Sequence, residues 1–397
     1  MSTFTGVMKE FPSLSIDRFD NENLRSTVFL LSHCHADHMM GLDNPNGIPG
    51  PLYLSPISSV IVKKQYPNIK ELVVLKENEP TPIKYSDVDG VTRFVTVTTV
   101  AAFHCPGSVM FLLEQENVKV LYTGDFRLSK RHMEKIKRLK NLVGSIDTIY
   151  IDSTFLSTDY LNFPGQIRSA TTICKIINEW IGKSPKHVIS LKMPARYGYE
   201  MLYIEIGKRL KVKIHINESE MEKYRYIPEL DNVFTTVPSK SPIHACFDYY
   251  NKNGRSLTCN PDIDPALIRV IKPTAMLWRQ WQESSDIVKL DENKNVRVCY
   301  SNHSSMSEIR DFLLYLKPKN VELNVLPQNE LQRRTMLDAL SEIVNEIQST
   351  NINRQAPIHV SSWDNLSKLS KLNMTRYSRR RDEGEHSTLC PPKRKKL

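Results

Sequence analysis

The sequence predicts an α/β fold, and two observations predict it. Runs of four to six β-branched and apolar residues recur along the chain, and between them lie stretches whose apolar residues fall three and four apart. With 397 residues, 40% of them hydrophobic, the chain can bury a large core and exceeds one average domain. In order, strands are expected at Thr27 to Leu31, Val118 to Tyr122, Thr148 to Ile151, Val188 to Leu191, Val212 to Ile216, Val296 to Tyr300 and Val321 to Leu326. Amphipathic helices are expected at Ile167 to Ile181 and Glu330 to Ile347. From about Ser361 the pattern decays into Ser, Asn, Lys and Arg, so a disordered tail is expected over residues 356–397.

Composition narrows the function. No window approaches the ~20 apolar residues of a membrane span, and the opening MSTFTGVMKEF has neither a basic nor an apolar signal region, so no membrane partner and no secretion are expected. Seven scattered cysteines make no disulfide framework and fit reduced thiols. The net charge of +10 points to polyanions, yet about half of it lies between Arg376 and Leu397. The closing run Lys393, Arg394, Lys395 and Lys396 reads as a nuclear import signal, so the nucleus is the expected compartment.

Chemistry gathers directly after the first expected strand. LSHCHADHMMGL places His33, His35, Asp37 and His38 in H-x-H-x-D-H spacing, four metal donors within six residues. Burying them without a cation would be costly, because Asp37 needs a compensating charge. His33 and His35 can reach one metal while Asp37 and His38 turn toward a second. His104 in FHCPGSVMF and Asp125 in VLYTGDFR complete three imidazoles plus a carboxylate able to bridge both ions, and Asp17 in SIDRF can orient the cluster from behind. A separate set, His215, His244, Cys246 and Cys259, has the donors of a closed tetrahedral zinc site, which spacing alone leaves open.

These motifs in this order resemble the metallo-β-lactamase fold, and HCPGSVMF and YTGDFR resemble its DNA-processing β-CASP branch. SIDRFD, SHCHADHM, DSTF, ARYGYE, IHAC and HSSMSEI extend the resemblance over roughly residues 5 to 345. It implies an αββα sandwich with an inserted α/β domain: residues 1–153 and 293–355 form the sandwich and 154–292 the β-CASP insert. It implies zinc at the first catalytic site, a second and weaker divalent metal (zinc, magnesium or manganese), and structural zinc on the His2Cys2 set. Asp152 in YIDSTF resembles the first acidic β-CASP motif, and His303 in SNHSSMSEI the histidine facing the scissile phosphate. Ser304 and Ser305 could hold a phosphate or simply cap a helix before Glu308. Two departures stand out. Val325 falls where RNA-cleaving relatives carry a later histidine ligand, which favours DNA. Pro194 falls where the branch has a lysine, leaving Lys192 or Arg196 to meet the phosphates.

The function this implies is metal-dependent phosphodiester hydrolysis on DNA. Expected activities are 5′-to-3′ exonuclease and structure-specific endonuclease at hairpins and overhangs, in double-strand break repair by non-homologous end joining. DNA ends are the expected partners, with the DNA-dependent protein kinase and a DNA ligase complex implied through a long tail that such relatives carry, and the chain a monomer. Competing readings are another hydrolase on this fold, acting on RNA or a small thioester, and a catalytically silent DNA-end scaffold.

Overall fold

The computed structural model describes residues 2–225, 227–246, 256–349 and 359–360. The chain divides into two compact units, Met1–Ile358 and His359–Leu397. In the second, only the short strand His359–Val360 is described, so the expected tail and its Lys393 to Lys396 signal lie outside the described residues.

The first unit opens with four parallel strands in chain order: β1 (Leu14–Ile16), β2 (Val28–Leu31), β3 (Leu52–Leu54) and β4 (Leu72–Val74). Helix α1 (Pro56–Gln65) links the last two; Ser55 Oγ accepts from Ser58 N at its start, and proline takes the first turn, where its missing N–H costs nothing. Side chains alternate across this sheet. Phe29, Leu31, Leu52 and Leu54 pack with Ile61 and Val62 of α1, while Leu14, Ile16, Val28 and Leu30 face a second sheet.

That second sheet runs antiparallel through β5 (Thr81–Ser86), β6 (Thr92–Ala101), β7 (Val109–Gln115) and β8 (Val118–Tyr122), then adds β9 (Thr148–Ile151) parallel to β8. Val95, Val97, Phe111, Leu113, Val120 and Tyr122 fill the space between the sheets. Two one-turn helices, α2 (Lys130–Met133) and α3 (Lys137–Lys140), lie between β8 and β9.

The chain then builds a separate α/β layer. Helix α4 (Gln166–Ile181), β10 (Val188–Leu191), α5 (Glu200–Leu210), β11 (Ile214–His215), α6 (Glu218–Tyr224), β12 (Phe234–Thr235), β13 (Ile243–His244), β14 (Ile268–Thr274), β15 (Val288–Leu290) and β16 (Val296–Cys299) form a sheet in the order β12-β11-β13-β10-β14-β16-β15. Its core joins Ile173 and Ile177 of α4 and Leu202 and Ile206 of α5 to Ile189, Leu191, Ile271 and Val298. Only then does the chain return: α7 (Met306–Leu316), β17 (Asn320–Leu323) parallel on β9, and α8 (Glu330–Ser349). Phe312 of α7 meets Phe126, just past β8, at 4.8 Å.

One expected boundary moves. The sequence places Val296–Cys299 in the returning sandwich, but β16 pairs with β14 and β15, so the inserted layer runs to about residue 299. Val212 to Ile216 shortens to two residues and Val321 to Leu326 ends at Leu323.

Candidate metal centre

Asp17, His33, His104, Asp125 and Asp152 each follow within one to three residues of the end of β1, β2, β6, β8 or β9. These five strands run the same way within their sheets, so one edge of the sandwich collects the polar side chains while the strands bury apolar ones behind them.

The hydrogen-bond partners fix which ring nitrogens face inward. His35 Nε2 lies 2.8 Å from the Tyr197 carbonyl and His104 Nδ1 lies 2.9 Å from the Asn302 carbonyl; a carbonyl only accepts, so both of those nitrogens carry the proton. Ser32 Oγ donates to Asp17 Oδ2 at 2.5 Å, so it accepts from His33 Nδ1 at 2.9 Å. The other three nitrogens, His33 Nε2, His35 Nδ1 and His104 Nε2, therefore present lone pairs, and they lie 3.0 Å apart across His35. Asp125 Oδ2 is 3.5 Å from both His33 Nε2 and His104 Nε2. Converging lone pairs and a carboxylate repel unless a cation sits among them, and donors on a metal with 2.0–2.1 Å bonds are ~3.3 Å apart. The four donor atoms lie within 4.8 Å of one another and could hold a divalent metal.

A second position adjoins the first through Asp125. His38 Nδ1 is 2.8 Å from Asp17 Oδ2, which also accepts from Tyr122 OH at 2.9 Å, while Asp17 Oδ1 accepts from Ser32 N at 2.7 Å. Asp17 thus orients His38 from behind. His38 Nε2, turned the other way, is buried without a hydrogen-bond partner, 3.4 Å from Asp125 Oδ1 and 4.0 Å from Asp37 Oδ2. Asp37 Oδ2 also accepts from the Ser2 amide at 2.9 Å. An orphaned buried nitrogen facing two carboxylates fits a cation. Val325 lines the adjoining groove, so this position gains no further imidazole from that stretch.

The charge pattern agrees with this. Burial and the neighbouring His33 ring push His35 down to about 3, and burial with His303 holds His104 well below the usual range, so both rings are neutral. Burial opposes charge on His38 too, but Asp125 and Asp17 outweigh it and hold His38 well above its ordinary value. Its proton supplies the positive charge that a metal would supply in its place. Burial likewise opposes charge on Asp125 and Asp37, yet Asp125 is held far below the carboxylate range by His38 and His303, and Asp37 is lowered by His38.

His303 stands beside the four donors, its ring 4.6 Å from that of His104. Nδ1 is 2.9 Å from Asp152 Oδ2, and Asp152 is itself held by Thr154 N at 3.0 Å and Thr154 Oγ1 at 2.6 Å. Burial lowers its basicity, but Asp152 and Asp125 raise it to about 9. A groove of about 720 Å³ opens here, lined by His35, Asp37, His104, Asp125 and His303, by Arg196, Tyr197 and Lys223 of the insert, and by Pro194. Lys192 instead lines a smaller cavity beside Cys246, and only Arg196 of the two expected phosphate contacts reaches the groove.

Ser304 and Ser305 do not face it. Ser304 is buried, its hydroxyl donating to the Phe126 carbonyl at 3.1 Å. Ser305 caps α7 reciprocally with Glu308: its Oγ accepts from Glu308 N and its N–H donates to Glu308 Oε2. The phosphate-holding role expected for both gives way to this packing.

In the insert, His215 and His244 are register partners on β11 and β13, which puts their rings on one face. Cys246 Sγ lies 2.9 Å from His215 Nδ1 and Cys259 Sγ 3.3 Å from His244 Nδ1, and all four donors fall within 4.8 Å, so this set too could hold a metal. The Cys246 thiol and both imidazoles favour Cys259 as the thiolate.

The sequence reading found Asp17 behind His38 but missed the supports of His35. Gly198, at φ +111, places its backbone against His35; a Cβ there would stand 2.7 Å from His35 Nε2. Asn302 Nδ2 donates to the Gly198 carbonyl at 2.6 Å, and buried Glu200 accepts from Gly198 N at 2.8 and 3.0 Å. The ARYGYE segment of the insert therefore grips a donor of the sandwich. A glycine between two tyrosines, followed by an acid inside an apolar stretch, was the available signal.

Comparison with known proteins gives a consistent answer. Residues 228–329 match the family described as DNA repair metallo-beta-lactamase. Protein artemis of Homo sapiens is 36% identical over 365 residues, covering 87% of this chain and 51% of that protein; Protein artemis of Danio rerio is 36% identical over 348, covering 82% and 54%. The 5' exonuclease Apollo of Gallus gallus is 29% identical over 303 residues, covering 74% and 57%. The chain spans about half the length of the curated relatives it matches. Motif order, sandwich and relatives together place the chain in the metallo-β-lactamase/β-CASP family.

Proposed function

We propose that the chain is a metal-dependent DNA nuclease with 5′-to-3′ exonuclease activity and structure-specific cutting at hairpins, overhangs and single-to-double-strand junctions, acting in the nucleus in non-homologous end joining. The observation that carries this reading is the convergence of three imidazole lone pairs and Asp125 on one point at the floor of the groove. The family description, DNA repair metallo-beta-lactamase, and the 5' exonuclease in the name of one relative support DNA as substrate. A role beside the DNA-dependent protein kinase and a DNA ligase complex, with the chain a monomer, belongs to the same reading.

In this reading His33, His35, His104 and Asp125 would hold zinc, and Asp37, His38 and Asp125 a weaker divalent ion, zinc, magnesium or manganese. Structural zinc is held by His215, His244, Cys246 and Cys259. A cation bound at the catalytic position acidifies water toward a pKa of ~7 and draws electron density from the phosphate. His303, kept protonated by Asp152 and Asp125, lines the groove, where it can stabilise charge on the phosphate or give its proton to the departing 3′ oxygen. Asp17 and Asp152 act through the imidazoles they hold. Arg196 offers charge to the DNA backbone from the groove wall.

The test is incubation of the purified protein with end-labelled hairpin, overhang and blunt DNA, with and without chelator and with RNA as competitor. Chelator-sensitive cutting of hairpins and overhangs, leaving 5′-phosphates, is expected. Asp37→Asn should abolish cutting and leave DNA affinity unchanged. Preference for RNA, or unchanged cutting by Asp37→Asn, overturns the reading.

A further inference from the structure

Charge in this chain is unevenly placed. Residues 1–350 contain 43 basic and 40 acidic side chains, and eleven of those residues, 130–140, contain six basic and one acidic; the remainder holds 37 against 39. The segment that carries this excess is α2, α3 and their joint, pinned to the body by buried Met133 and Leu139. Lys130, Arg131, Lys135, Lys137 and Lys140 are exposed, and none has an anionic partner among the described residues. A folded body that is otherwise near neutrality has no solubility reason to concentrate its positive charge on one short face.

The face begins at the metal centre. Arg127 N donates to the Ala102 carbonyl at 3.0 Å, so the loop carrying Asp125 lies alongside the loop carrying His104. Between those points stands Phe103, at φ +57, a conformation that a bulky side chain seldom adopts because its Cβ crowds the backbone. The residue is 48% exposed, so core packing does not account for the strain. The ring is stacked on His132 of α2, with centroids 5.3 Å apart and planes 4° from parallel. An aromatic surface is thus held open beside His104, at the first turn of the basic segment.

We propose that residues 130–140 and the Phe103–His132 stack form a track for a single DNA strand leaving the metal centre. The cations meet successive phosphates, and an unpaired base stacks on Phe103. Apart from the terminal pair, only a base that has left its duplex can offer its face to a ring, which favours overhangs and junctions over blunt duplex. This rests on the nuclease reading, but its test does not depend on cutting.

Binding is measured on phosphorothioate-linked DNA, which resists cutting, as a 5′-overhang duplex and as a blunt duplex over a range of salt. In Lys130→Glu/Arg131→Glu/Lys135→Glu the slope of log K against log salt should shrink by about two to three as phosphate contacts are lost. Phe103→Gly, which relieves the backbone strain, should weaken overhang binding on the order of tenfold and leave blunt binding unchanged. Unfolding midpoints no lower than wild type exclude misfolding. An unchanged slope and affinity in the triple variant overturns the track, and equal loss on blunt and overhang DNA in Phe103→Gly overturns the stack. If the wild-type chain cuts no DNA while these variants still lose binding, the nuclease reading fails and the track stands.

Discussion

At the position of Gly198 the chain has no room for a methyl group: the φ of +111 is strained for any other residue, and the added carbon would meet His35 Nε2. Gly198→Ala should therefore shift His35 and weaken the catalytic metal by roughly ten- to hundred-fold, as loss of a group supporting a ligand does, read as metal content after dialysis. Glu200, two residues on, supports the same loop while fully buried, and burial raises its carboxyl to about 7, against the backbone N–H bonds that lower it. A carboxyl whose folded pKa is raised holds a proton that the unfolded chain gives up. Its contribution is thus present below about pH 4.5 and lost as pH climbs through 7, amounting to about 3 kcal/mol. Glu200→Gln keeps an oxygen for Gly198 N and carries no charge, so the fall in stability between pH 5 and pH 8 should flatten, as denaturant melts at the two pH values would report. Donors such as His33 and Asp125 were legible in the sequence because metal chemistry limits the choice of side chain. Gly198 and Asn302 were not, because a support is defined by what it faces, and each faces a residue more than a hundred positions away.

Single elements show the same division. Strands β8, β9 and β10 match their expected bounds residue for residue, since each is a short run rich in apolar and β-branched residues, with β9 and β10 buried throughout and β8 buried from Val120 on. Strands β5 to β7 escaped, although Val95 and Val97 alternate with the polar positions of β6 as a half-buried strand requires. Strands β11 and β13 are two residues each and have no propensity signature; pairing within the parallel sheet defines them. At helix α7, the two readings of Ser305 were equally compatible with SSMSE until burial decided. Ser305→Ala should cost about 1 kcal/mol of stability through the lost cap and leave DNA affinity as it is; a loss of affinity without a loss of stability would return Ser305 to the substrate.

For the whole molecule, net charge was a poor guide and its location a good one. The total of +10 does not distinguish a binding face from a basic tail, whereas the clustering of cations at 130–140 was present in the sequence and was passed over because helices of one turn carry no periodic signal. The sandwich and insert were visible through motif order, but the boundary near residue 299 depends on which neighbour β16 pairs with, which no local pattern encodes. Arg196 and Lys223 line the same groove as the metal donors, so DNA affinity should fall steeply between low and physiological salt. A flat salt titration would remove the groove from the backbone's path.

His35 belongs to one layer and is gripped by another: one nitrogen points to the donors of the sandwich, and the opposite nitrogen is bonded to a carbonyl 162 residues away in the insert. Any cation on that ring consequently acts as a rivet through both layers. Stripping it should let them swing apart at the connectors, so that protease nicks appear near residues 154–165 at temperatures where the loaded chain stays whole.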